Sequence, residues 1–182
     1  MEFVAMSCRI LLLVVFTVAV VSKVRSAESF GGFVRSVRGF AALSPSQGRV
    51  VARAVIGAEA VVIVLLLLTG PRVTVGFALA GSVLAVFSLA IGASLRRGAR
   101  VPCRCFGAST SSSGALGLVR NGFLIAVAVT GAVGTHHGLP PASGAVAAAG
   151  TGLVLGVVVT VLDDIAESLR DSFPVAVRKG QK

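Results

Sequence analysis

Apolar residues run nearly unbroken in five blocks, over residues 3–22, 50–69, 73–95, 118–134 and 144–162, with polar or turn-forming residues between them. Crossing about 30 Å of hydrocarbon at 1.5 Å per residue takes about 20 helical residues. Each block is therefore predicted to be one membrane-spanning helix. The first carries Arg9 near one end, where its stem can snorkel to the interface. The second contains Arg53 and Glu59, the third is free of charge, the fourth opens with Arg120 and Asn121, and the fifth is rich in Gly and Ala. The first block also has the outline of a secretory leader, with Val24 and Ser26 as small residues beside a cleavage point, but Lys23 and Arg25 there fit the end of an anchored helix better.

Between the first two blocks, Phe30, Phe33, Val34, Val37, Phe40 and Ala41 recur at helical spacing while Arg35 and Arg38 take other faces, ahead of Pro45. This predicts a short interfacial helix, with a plain amphipathic linker as the alternative. The expected fold class is thus all-α, an integral membrane bundle of about five transmembrane helices with one short interfacial helix. Gly76 and Gly81 in the third block and Gly150, Gly152 and Gly156 in the fifth allow close helix approach. The Gly152–Gly156 spacing also makes that face a candidate dimer contact, and the oligomeric state is left open.

Composition narrows the class further. The chain of 182 residues is 55% hydrophobic and 13% charged, with a mean hydropathy of +0.94, more apolar surface than a water-soluble domain of this length could hide. Lipid is the expected partner for the rest. Its net charge of +10 comes from cations set between apolar blocks, with no Trp or Tyr among them, so the charge reads as topological and nucleic acid is not an expected partner.

The most specific chemistry lies between the third and fourth blocks. There Val-Pro-Cys-Arg-Cys-Phe-Gly sets Cys103 and Cys105 one residue apart in a polar, basic stretch. Two thiols make a poor closed zinc site, since Cys8 and the His136–His137 pair belong to the opposite face by the span count, and no metal is expected. The same two thiols can exchange with a disulfide through a mixed-disulfide intermediate. Arg100 and Arg104 favour the thiolate, and Pro102 and Gly107 shape the turn. Two incidental loop cysteines are the alternative on spacing alone.

Glu59 is the second feature, because a carboxylate deep in an apolar helix must be neutral, paired or turned to a cavity. Arg53 on the same helix and Lys23 or Arg120 from a neighbouring helix are its candidate partners. A structural ion pair is favoured over a proton-handling role. His136 and His137 read as solvated loop residues, and Asp163 and Asp164 as boundary residues at the end of the last span.

The order of these features resembles the methylamine utilisation protein MauE family, small multi-spanning proteins of the broader DoxX-like group. The resemblance rests on the first span ending Phe16 to Lys23, the Phe-containing linker, Glu59, Arg97-Gly98 ahead of Cys103-Arg104-Cys105-Phe106-Gly107, and the Arg120-Asn121 pair opening the next helix. It implies a four-helix membrane domain over residues 3–134, an additional helix at 144–162 and a polar tail at 163–182. Functionally it implies a membrane factor for maturation of a secreted, disulfide-rich dehydrogenase subunit, acting with a thioredoxin-like partner. Cys103 and Cys105 would be the working dithiol, and Arg104, Pro102, Phe106, Gly107, Glu59, Lys23, Arg120 and Asn121 would support it. The family usually has Gly between the two cysteines. Arg104 here leaves the dithiol intact but puts the local turn and the substrate in question.

No cofactor is required by this reading. A quinone-linked DoxX-like oxidoreductase subunit, with quinone as acceptor, and a non-catalytic scaffold or transporter component are the alternatives. Localisation is expected in the cell membrane. Of the 17 Lys and Arg, all but Arg9 and Arg72 fall on the face that carries the long linker, the cysteines and the tail. The positive-inside rule places that face in the cytoplasm, whereas disulfide formation in secreted substrates would want it outside.

Overall fold

The computed structural model describes residues 1–41, 43–96, 114–135 and 142–172, and every secondary-structure element among them is helical. The order is α1 (Glu2–Val24), α2 (Ala27–Ala41), α3 (Pro45–Leu67), α4 (Pro71–Arg96), α5 (Gly114–Gly134) and α6 (Ala142–Ser172). Five of them, all but α2, are long and apolar enough to cross a membrane. The five predicted blocks are these five helices, and the predicted interfacial segment is α2.

Helix starts follow local capping chemistry. Ser26 Oγ accepts the backbone N–H of Ser29 at 3.0 Å and opens α2. At α3, Ser44 Oγ accepts from Gln47 N while Gln47 Oε1 accepts from Ser44 N, a reciprocal capping box with Pro45 in the first turn. This is why α3 starts at Pro45 although the apolar run begins only at Val50: the cap specifies the start, and the first turn is polar. Gly70 takes a positive φ of 72° in the turn before Pro71, a backbone setting that glycine adopts without strain.

Helices α1, α3, α4 and α5 form a ring in that spatial order, α6 lies outside it along α1, and α2 crosses α1, α3 and α4 at one end. Consecutive spans alternate in direction. The starts of α1, α4 and α6 and the ends of α3 and α5 therefore share one end of the bundle, called here the N-terminal end. The end of α1, the start of α3, the end of α4 and the start of α5 share the other with α2. Contacts agree with this arrangement. Thr74 and Thr135 are hydrogen-bonded at 2.8 Å, and a Cβ on Gly134 would stand 2.7 Å from that of Ala5.

The core is built on α1. Leu11, Leu12, Val15, Phe16 and Ala19 are buried against Val62 and Leu66 of α3, Phe77, Ala80 and Leu84 of α4, Leu124 and Ala128 of α5, and Val159 of α6. The outward faces are equally apolar, with Val64, Leu67, Val75, Leu89, Val119 and Val154 exposed, and hydrocarbon is the solvent that suits them. Several hydroxyls within the spans fold back on their own helices, as Ser82 does on Ala78 O and Thr130 on Ala126 O, which satisfies their donors away from water.

Small residues decide how closely the helices approach. A Cβ on Gly131 would collide with the ring of Phe77, which fills that space. Gly152 lies against Ser7 O and Ile10, and a Cβ on Gly156 would stand 2.9 Å from the Cβ of Val14. The Gly152–Gly156 face is therefore occupied by α1 of the same chain, and this corrects the reading of that spacing as a dimer contact. α6 also runs on through Asp163 and Asp164 to Ser172, so the helix continues past its apolar span, Gly144–Val161. At 31 residues it outlasts the hydrocarbon layer by several turns.

Candidate functional site

Where α2 meets the bundle, the structure buries an ion pair. Lys23 leaves the last turn of α1, and its Nζ donates to both carboxylate oxygens of Glu59, at 2.6 Å to Oε1 and 2.8 Å to Oε2. Both residues are 1% exposed, which excludes water as the solvent of either charge. Helix geometry explains the reach. Side chains on a helix tilt toward its N-terminus, so Lys23 leans from the end of α1 back into the bundle, and Glu59 leans toward the start of α3 to meet it.

Two aromatic rings complete the site. The Lys23 ammonium lies 5.0 Å from the Phe33 ring centroid and 5.8 Å from that of Phe87, so the faces of α2 and α4 both present π density to the cation. Phe33 belongs to a second apolar cluster with Val34, Val37 and Ala52, and Phe87 touches both that cluster and the main core. The ion pair thus sits at the seam between α2 and the ring of spans. As a unit it carries no net charge, which suits it to a low-dielectric interior far better than either ion alone.

Of the three partners considered for Glu59, Lys23 is the one that binds it. Arg53 is exposed on the outer side of α3, pointing away from the bundle. Asn121 is 2% exposed, on the buried stripe of α5 that also carries Gly117, Leu124 and Ala128. The antiparallel register of α4 and α5, fixed by Phe77 against Gly131 and Ile91 against Gly117, puts Asn121 level with Phe87. Its Oδ1 has no hydrogen-bond partner among the described residues. Ser94 and half-buried Arg120 add polar groups to the same half of α4 and α5.

Pro102, Cys103, Arg104, Cys105, Phe106 and Gly107 lie outside the described residues, as do His136 and His137. The helix ends that flank the cysteine segment, Arg96 of α4 and Gly114 of α5, both belong to the α2 end. Cys8 is 8% exposed in the main core near the N-terminal end.

Residues 1–134 match the family described as methylamine utilisation protein MauE, a match that runs from α1 to the last residue of α5. The chain belongs to that family. It is accordingly a multi-pass integral membrane protein of the methylamine utilisation group. No curated protein and no solved structure matches it. The Lys23–Glu59 pair, Asn121 and the two cysteines all fall within the MauE match, and α6 lies beyond it.

Sequence reasoning missed two contributors. Phe33 was legible only as part of the apolar face of α2, and Phe87 had no local signal because a ring over a cation depends on which helices are neighbours. Arg9 also does more than reach the interface: its Nε donates to Leu66 O and one terminal nitrogen donates to Leu68 O at 2.8 Å. It thereby occupies open carbonyls at the end of α3.

Proposed function

We propose that this MauE-family protein is a redox-associated maturation factor of the cell membrane, in which Cys103 and Cys105 act as a dithiol on a disulfide-bearing partner. The observation that carries the reading is the Cys103-Arg104-Cys105 string of the sequence; the helix ends that flank it, Arg96 of α4 and Gly114 of α5, belong to the end of the bundle that holds the Lys23–Glu59 pair. Family membership supports the setting, since methylamine utilisation is the process the family is named for.

The exchange is a two-electron step. The Cys103 thiolate attacks one sulfur of the partner disulfide, and the other partner sulfur leaves as a thiolate. The Cys105 thiolate then displaces the partner from Cys103. This leaves a Cys103–Cys105 disulfide and a partner with two reduced sulfurs, the thiols' protons passing to water or to the departing sulfurs. Run in reverse, the same steps make a disulfide in the partner. Arg104 favours the thiolate form of its neighbours by its positive charge. The partners that fit this chemistry are a thioredoxin-like protein and a secreted subunit rich in disulfides, and the dithiol itself needs no bound cofactor.

The test is a trapping experiment. A Cys105→Ser variant lacks the sulfur that resolves the mixed disulfide, so it should accumulate a covalent adduct that vanishes on reduction and is missing from Cys103→Ser/Cys105→Ser. Absence of any adduct, together with full biological complementation by the double variant, would replace this reading with a non-catalytic scaffold.

A further inference from the structure

Among the described residues five polar side chains are buried, and each of α1 to α5 supplies one: Lys23, Ser36, Glu59, Ser94 and Asn121. They are not spread evenly through the bundle. Lys23 and Ser94 stand in the last turns of α1 and α4, Asn121 in the first half of α5 and Ser36 on α2, and the Glu59 carboxylate is held toward the α2 end by Lys23. Toward the N-terminal end the ring is closed by Leu12, Leu66, Phe77, Leu84 and Leu124, each at most 1% exposed. The interior of the ring thus has a polar half and an apolar half.

Asn121 is the member whose polarity the packing does not use. On the seam of α4 and α5 it lies between the buried Leu84 and Leu124 on one side and Ile91 against Gly117 on the other, opposite Phe87, whose ring also faces Lys23. Its Oδ1 is enclosed, and no described residue donates to it. An amide oxygen without a donor is destabilising in an apolar interior, and a leucine of the same branching would avoid that cost. Residue 121 is therefore suited to a second conformation, in which its oxygen meets a donor. Water is the donor that all five polar groups can share.

Among the described residues, α2 is the element that lies over the polar half. Gly32, Phe33, Ser36 and Val37 are buried on its inner side, with the Phe33 ring centroid 5.0 Å from Lys23 Nζ, while Glu28, Arg35 and Gly39 on its outer side are exposed. A helix of 15 residues with three glycines has little stability of its own, so α2 depends on docking. That docking rests mainly on Val34 and Val37 packed with Ala52 and on Phe33 over the cation. The start of α2 is one turn from Lys23, so the ion pair and the helix move together.

We propose that α2 is a gate: it lifts from the ring and admits water from its own side of the membrane as far as Lys23, Glu59 and Asn121, while the apolar half keeps the other side closed. The test places single cysteines in the full chain carrying Cys8→Ala/Cys103→Ser/Cys105→Ser, reconstituted in vesicles and exposed on one side at a time to a membrane-impermeant methanethiosulfonate. A thiol reacts as its thiolate, which forms where water reaches it. Ser94→Cys and Asn121→Cys should be modified from the α2 side alone, and Leu84→Cys and Leu124→Cys from neither. Adding Phe33→Ala should speed modification of Ser94→Cys about tenfold by taking the ring off Lys23. Adding Asn121→Leu should slow it about fivefold by favouring the closed form. Leu84→Cys separates gating from unfolding, because global opening exposes both positions at one rate. The near-isosteric Ser94→Cys keeps the test valid if the other variants misfold. Equal rates at positions 84 and 94, modification from the N-terminal side, no modification of Ser94→Cys, or a rate unmoved by Asn121→Leu would overturn the proposal. None of these outcomes bears on the dithiol, which the background lacks.

Discussion

Lys23 and Glu59 show what the membrane interior demands of a single residue. Either charge alone in this setting would be costly, and the pair is tolerated because Nζ reaches both carboxylate oxygens and two rings cover it. Removing one partner strands the other, so Lys23→Met is expected to destabilise by about 3–5 kcal/mol and Glu59→Leu by a similar amount. Glu59→Gln should be milder, since its amide oxygen still accepts from Lys23. Lys23→Met/Glu59→Leu, which removes both charges, should recover much of the loss. Unfolding in a denaturing detergent titration measures all four. Equal, negligible effects of Gln and Leu at position 59 would show that the pair contributes nothing to stability.

At the scale of elements, α6 is the helix whose placement the sequence left most open. Its glycine spacing was visible, but a single sequence does not say which surface will fill the groove, and α1 does so within the chain. Gly152→Leu or Gly156→Leu should drive α6 away from Ser7 O, Ile10 and Val14, where the backbones leave no room for a side chain. A disulfide engineered between α1 and α6 would read this directly: it should form readily in the parent background and poorly in either Leu variant. Unchanged crosslinking would mean that the groove is not the docking surface. The same limit applies elsewhere. The capping box of Ser44 and Gln47 was there to be read, yet the apolar run alone put the start of α3 five residues late. Asp163 and Asp164 follow the end of the apolar span at Val161, and α6 continues past them because nothing in Ile165 to Ser172 breaks a helix once it has left the hydrocarbon.

For the whole molecule, the apolar blocks made five spans legible because about 20 apolar residues in a row have few other uses. The partner of Glu59 was narrowed to three cations but not chosen, since that choice depends on the neighbours of α1. Five crossings put the two ends of the chain on opposite sides of the membrane. The excess of arginine and lysine at the α2 end favours the cytoplasm for that side, where the dithiol would receive electrons from inside; oxidising a secreted subunit directly requires the opposite orientation. Reporter fusions at residue 1 and residue 182 should accordingly give opposite compartments, with the N-terminal reporter outside. Two reporters on the same side would mean that one apolar helix does not cross.

Cys103 and Cys105 are proposed to cycle between dithiol and disulfide. The most direct measurement of that cycle is alkylation with a mass-shifting maleimide in intact, acid-quenched cells carrying a Cys8→Ala background, before and after mild oxidation. The account predicts two labelled sites in the reduced protein and none after oxidation, with the shift restored by a thiol reductant. Two sites labelled under every condition would contradict it.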